Sequence, residues 1–193
     1  MRTVEVQVFQ LDELSDSAQQ RALDWYRDSA RGDNYWSEGI QDEAKQLGAA
    51  LGFDLMKLHW TGFWSQGDGA CFTGAWHANQ VDPRGALTYA CEIACKETFI
   101  NDILKVAREM PDGKCTLRHT GHYYHENSID FYWEGDAHIE GERALKDNAR
   151  AFMRWIYARL EDAYTAENSD ENVAENIAAN EYEFTADGKR FVT

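Results

Sequence analysis

Leu145, Ala149, Phe152, Ile156, Leu160 and Ala163 repeat at intervals of four, three, four, four and three residues. Only a helix puts all six on one side, and an apolar stripe that continuous must be buried against another layer. The spacing predicts a long helix beginning after Gly141, with Arg143, Lys146, Arg150, Arg154 and Arg159 on its other faces. Segments of two-residue period indicate what that layer is. Ile129, Phe131 and Trp133 alternate with Asp130, Tyr132 and Glu134, while Val4, Val6 and Val8 alternate with Glu5 and Gln7. Both patterns predict half-buried strands, and further strands are expected over 53–60, 71–78 and 114–119.

Other helices are expected around this sheet. One opens near Leu14-Ser15-Asp16-Ser17, with Gln20 in capping distance, and carries Ala18, Ala22, Trp25 and Tyr26 until residues 31–34 break it. A second starts near Ser37, bears Trp36, Ile40, Ala44, Leu47 and Leu51, and ends at Gly52. Ile100, Ile103, Leu104 and Ala107 predict another, which stops at the Pro111-Asp112-Gly113 turn. Ser169 or Asp170 caps a short helix with Val173 and Ile177, and 182–191 reads as a hairpin turning at Asp187-Gly188. Residues 87–95 fit a strand or a helix equally. Strands and helices are interspersed and the links are short. The expectation is therefore an α+β fold, a mainly antiparallel sheet with several packed helices, as a single domain over residues 1–193.

Several function classes are disfavoured. No apolar run approaches the roughly 18 residues of a membrane helix, so no membrane partner is expected. The first residues lack the apolar core of a secretory signal. Cys71, Cys91, Cys95 and Cys115 then read as reduced thiols of a cytoplasmic protein, with Cys91 and Cys95 as buried small residues rather than a zinc pair. GxSxG, GxGxxG and GxxxxGK[ST] are absent, so no nucleophile elbow, dinucleotide loop or phosphate loop is present, and no cofactor is expected.

The net charge of −15 is unevenly spread. Residues 1–43 carry ten acids and four bases, 44–160 carry fifteen and thirteen, and 161–187 carry nine acids and no base. Such a chain repels nucleic acid at long range, so no direct nucleic-acid binding is expected. The acidic C-terminal region, with Glu161, Asp162, Glu167, Asp170, Glu171, Glu175 and Glu181, is the expected surface for a basic protein partner, by imitation of nucleic-acid charge. The plainer alternative is that it only keeps the protein dispersed.

Two segments stand out as candidate binding sites. In 59–72, three glycines within eight residues permit tight turns beside Trp60, Phe63, Trp64, Gln66 and Asp68, the ingredients of a pocket that stacks a planar group and bonds its edge. In 118–126, His122, Tyr123, Tyr124 and His125 suit protein or ligand contact. His119, His122 and His125, spaced three and three with Glu126 adjacent, also carry a weaker metal expectation, because imidazoles and a carboxylate ligate zinc. A bend does not force such residues together as a helix does. Three functions stay open on these residues: a protein-binding inhibitor, a small-ligand or nucleotide-signal sponge, and a metal-dependent enzyme.

Leu14-Ser15-Asp16-Ser17-Ala18-Gln19, Gly62-Phe63-Trp64-Ser65-Gln66-Gly67-Asp68-Gly69, Gly121-His122-Tyr123-Tyr124-His125 and Tyr182-Glu183-Phe184-Thr185-Ala186-Asp187-Gly188 follow one another in this order. In this the chain resembles a family of small acidic bacteriophage-encoded proteins labelled as antitoxins of toxin–antitoxin stability systems. The resemblance implies a protein that works in the bacterial cytoplasm by binding and blocking a host defence protein, such as a restriction or CRISPR component, or a toxin. It brings no catalytic residue with it.

Overall fold

The computed structural model describes residues 5–135 and 138–192. In chain order the elements are α1 (Asp16–Ser29), α2 (Glu38–Ala50), β1 (Phe53–Thr61), β2 (Gly69–His77), α3 (Pro83–Glu92), α4 (Thr98–Glu109), β3 (Lys114–His119), β4 (Ile129–Glu134), α5 (Ile139–Glu167) and α6 (Asp170–Ala179). The fold is α+β, and its strands form one antiparallel sheet in the order β1-β2-β3-β4. Two compact units emerge. One takes Met1–Trp36 and Asp162–Thr193, and the other takes Ser37–Glu161.

The larger unit holds the sheet. Phe53 pairs with Trp76, Leu117 with Gly74 and Phe131, and Cys115 with Trp76 and Trp133, so the apolar residues of all four strands share one face. Against that face lies the α5 stripe predicted from spacing. Phe152 is fully buried, with ring centroids 5.3 Å from Phe99 of α4, 5.6 Å from Phe72 and 6.1 Å from Phe53. The buried Trp76 indole donates to the Leu51 carbonyl at 3.0 Å, which removes the penalty of an unpaired N–H.

The ambiguous segment 87–95 is helical through Glu92, and residues 93–95 leave the helix, with Ala94 at a φ of +54°. Pro83 sits in the first turn of α3, and the Asp82 carboxylate accepts the Gly85 N–H at 3.0 Å, so the chain already follows helical dihedrals where 87 begins. α5 starts earlier than expected. The His138 N–H donates to Glu142 at 3.0 Å and the His138 ring accepts the Gly141 N–H at 3.1 Å, a reciprocal cap that lets the glycine enter the helix.

The smaller unit is built from α1, α6 and the C-terminal hairpin around Leu14, Ala18, Ala22, Leu23, Val173, Ile177 and Phe184. Ser169 caps α6 by accepting the Asn172 N–H at 3.2 Å. The hairpin forms as expected, with Phe184 bridged to Arg190 and Gly188 bonded back to Thr185 at 2.8 Å. The strand predicted over 4–8 is corrected. Val4 lies outside the described residues, 5–8 are not strand, and the pairing begins only at Phe9, which exchanges two backbone bonds with Phe184. With no ladder partner beside them, Val6 and Val8 do not realise their alternation, and Val6 stays half exposed. No described helix is long and apolar enough to cross a membrane.

Candidate functional site

The Gly-rich segment is the loop that joins β1 to β2, and its shape follows from two anchors. The Asp68 carboxylate accepts the backbone N–H groups of Ser65 at 2.7 Å and Trp64 at 3.1 Å, which closes a tight turn. Behind it, Phe63 is buried, stacked on Trp60 at 5.9 Å and tilted on Tyr157 of α5 at 5.5 Å. The Tyr157 hydroxyl donates to the Gly62 carbonyl at 2.9 Å. Burial, with the Asp68 and Glu161 carboxylates adding to it, raises the Tyr157 pKa, so this hydroxyl keeps its proton and the bond. Phe63 and Asp68, both expected among the binding residues, hold the loop together, and Trp64 is left 75% exposed at its tip.

The connection from β3 to β4 comes to the same place. The Tyr123 ring lies against Gly67, where a Cβ would stand 2.6 Å from Cδ1, and a Cβ at Gly69 would stand 3.0 Å from the Tyr124 carbonyl oxygen and 3.1 Å from the His125 Cα. Two glycines that looked like turn formers are therefore contact points for the second segment. His59 of β1 stacks on Tyr124 with centroids 4.6 Å apart and planes 10° apart. The His119 ring lies 5.1 Å from Tyr124, and its Nε2–H donates to the Tyr123 carbonyl at 3.0 Å. Burial, then Lys57 and His119, lower the His59 pKa and favour the neutral ring within this stack. Sequence reasoning missed His59 as a structural partner, since strand alternation does not say which loop folds over a strand end.

The two segments border an open groove of about 440 Å³ lined by Gln66, Gly67, Tyr123, His125, Asn127 and Ser128. His125 Nδ1 accepts the Asn127 N–H at 3.1 Å, and the Glu126 carboxylate lies 3.2 Å from the same nitrogen. Glu126 also meets Arg154 at 3.5 Å. Tyr123 is 62% exposed and His122 is exposed, while Tyr124 is drawn into the stack. The surface therefore offers two prominent rings, Trp64 and Tyr123, on a rigid base. Such rings supply contact area at small entropic cost.

Catalytic and metal chemistry find less support. His119 bonds the Tyr123 carbonyl and His125 the Asn127 N–H, and among the described residues no group of three or more His, Cys, Asp or Glu side chains gathers to hold a metal. Cys71 is buried, and burial raises its thiol to about 11 despite a bond from the His125 backbone; Cys115 is raised to about 12 in the same way. A thiol protonated and shielded at neutral pH is a poor nucleophile. Cys95 is buried with a raised pKa, and Cys91 is exposed. Iodoacetamide at pH 8 is thus expected to add one group per native chain, at Cys91, and four after denaturation. Fast modification of Cys71 in intact-mass and peptide analysis would contradict this placement.

The acidic region runs along the end of α5, α6 and the turn after it. Asp162, Glu167, Asp170, Glu171, Glu175 and Glu181 are exposed and Glu161 is half-buried. Asp170 pairs with Arg27, whereas Glu167, Glu171, Glu175 and Glu181 have no salt bridge among the described residues.

Residues 36–170 match the model of a family described as a domain of unknown function, DUF8835. No curated protein and no solved structure matches the chain.

Proposed function

We propose that this chain, which belongs to the DUF8835 family of domains of unknown function, is an interaction protein that binds and inhibits a bacterial protein with a basic surface. The observation that carries the reading is the convergence of the Gly62–Gly69 loop with the 121–128 connection. It seats the exposed Tyr123 ring on Gly67 at the edge of a groove, on the same loop whose tip carries the exposed Trp64 ring. Exposed aromatics on a preorganised base are the usual anchors of protein interfaces. The exposed carboxylates of 162–181 add the charge that would steer a basic partner and suppress others. The resemblance of 62–69 and 121–125 to small phage proteins favours a host defence protein or a toxin as that partner, met in the bacterial cytoplasm. Mimicry of nucleic-acid charge accounts for the excess of acid over base.

The test is capture from bacterial lysate at low and high salt, with wild-type bait and a Trp64→Ala/Tyr123→Ala bait in parallel. One protein with a basic surface should be retained by the wild type at low salt, released at high salt and absent from the variant. Equal capture by both baits would remove the aromatic surface from the mechanism. Capture of nothing by the wild type would leave the reading without a partner and overturn it.

A further inference from the structure

The smaller unit is rich in acid, yet among its described residues two guanidiniums carry no acid partner. Its described bases are Arg21, Arg27, Arg31, Lys189 and Arg190. Arg27 holds Asp24 and Asp170, and Arg31 holds Asp28 at 2.8 Å. Arg21 Nε donates at 2.6 Å to a neutral acceptor, the Asp187 carbonyl, and no salt bridge reaches it among the described residues. Arg190 lies over two ring faces, 5.1 Å from the Trp25 centroid and 4.5 Å from that of Tyr182, again with no carboxylate bound. Where acids outnumber bases, unpaired guanidiniums are not a matter of supply.

Both guanidiniums line one open groove of about 650 Å³, together with Trp25, Lys189, Asp24 and Asp28. The two aspartates are engaged on α1 itself, Asp24 by Gln20 at 2.9 Å and Arg27 at 3.1 Å, and Asp28 by Arg31. They neutralise neighbours rather than the groove's own cations. Lys189 shares its charge with Asp187 at 2.8 Å. Stacking on Trp25 and Tyr182 holds the Arg190 plane and leaves its N–H edge available, while the bond to Asp187 does the same for Arg21. Preorganised guanidiniums with free edges are the groups that take oxyanions by paired hydrogen bonds.

We propose that this groove binds a small molecule through a phosphate group, held by Arg21 and Arg190 with Lys189 at its rim. Cationic groups from α1 and from the hairpin surround the site, which suits a tetrahedral oxyanion better than a planar carboxylate. Arg190 lies over the Trp25 ring, and Tyr182 and Phe184 pack against it edge-on at 5.4 and 5.8 Å. The ring already holds the guanidinium, so the phosphate itself is the recognised element. The site belongs to a different unit from the aromatic groove and does not depend on it.

The experiment is NMR titration of the full chain with inorganic phosphate against sodium chloride and sodium acetate at matched ionic strength. The readouts are the Trp25 indole N–H and the Arg side-chain Nε–H signals. Phosphate should give saturable shifts at Trp25 and Arg190, chloride none, and acetate binding at least about tenfold weaker. Arg21→Gln, which keeps a donor without the charge, should weaken phosphate binding about tenfold or more, the cost of a charged hydrogen bond. Arg190→Gln should do the same, and if that variant unfolds the hairpin the Arg21→Gln result decides alone. Absence of saturable shifts, equal binding of acetate, or unchanged affinity in Arg21→Gln would each overturn the site.

Discussion

Gly74→Ala is expected to cost the larger unit about 3 to 4 kcal/mol and to lower its melting temperature by roughly 10 °C. Gly74 lies in β2 opposite Leu55, where the register of β1 slips between Leu55 and Lys57. Its φ of +154° lies outside the range that side chains readily adopt, and the space beside it is filled by backbone. A Cβ there would run into the Asp54 carbonyl oxygen, stand 2.9 Å from its carbon and 3.1 Å from the Met56 nitrogen. Backbone atoms inside a ladder cannot swing aside as a side chain would, so relief requires breaking the β1–β2 pairing. Gly39→Ala on α2 is the control. Nothing lies within 4 Å of its Cβ, and alanine should add about 0.5 to 1 kcal/mol through reduced chain entropy. Thermal melts followed by circular dichroism compare the two, and a Gly74→Ala protein as stable as wild type would show that the bulge is not a fixed feature.

The bulge also matters for recognition, because β1 and β2 carry the loop with Trp64. A shift in their register would move that ring and the Gly67 seat of Tyr123 together. Stability of the sheet and presentation of the aromatic surface are thus one property of the same hairpin. A partner lost by Gly74→Ala would therefore report on the scaffold, and only substitutions at the ring tips, Trp64 and Tyr123, report on contact.

What could be foreseen in the sequence followed from periodicity and local chemistry. The α5 stripe from Leu145 to Leu160 is buried as its spacing requires, and Ser169 caps α6 through its side chain. The alternation of Ile129, Phe131 and Trp133 corresponds to the inward face of β4. Local signals fail where the partner decides. Val6 and Val8 have the alternation of a strand, but alternation forms no ladder without a neighbour, and the hairpin reaches only to Phe9. The helical state of 87–92 was written in Asp82-Pro83, upstream of the ambiguous residues themselves. At the site, a ring and a carboxylate beside glycines fit a pocket wall or a loop anchor equally, and the anchoring of Phe63 depends on Tyr157, more than ninety positions away. That Tyr123 packs on Gly67 is a contact over 56 positions, beyond any local pattern.

Charge reversal in the acidic region carries the largest expected effect on binding. Changing Glu171, Glu175 and Glu181 together to Lys moves the net charge from −15 to −9 and places three cations where a basic partner should meet anions. All three carboxylates are exposed, and none has a salt bridge among the described residues, so the change breaks no ion pair of the fold. Only Glu171 lies in the first turn of α6, where losing a favourable helix-dipole contact costs about 0.3 to 1 kcal/mol. Electrostatic steering between opposite patches changes association rates by about 10- to 1,000-fold at low ionic strength, and its reversal turns attraction into repulsion. Binding of the captured partner should therefore weaken about 100-fold at low salt, chiefly through the association rate. At about 1 M salt, where the screening length falls to about 3 Å, wild type and variant should converge. Surface plasmon resonance across a salt series separates the two regimes. A triple variant that binds like wild type at low salt would assign the acidic run to solubility and leave recognition to Trp64 and Tyr123.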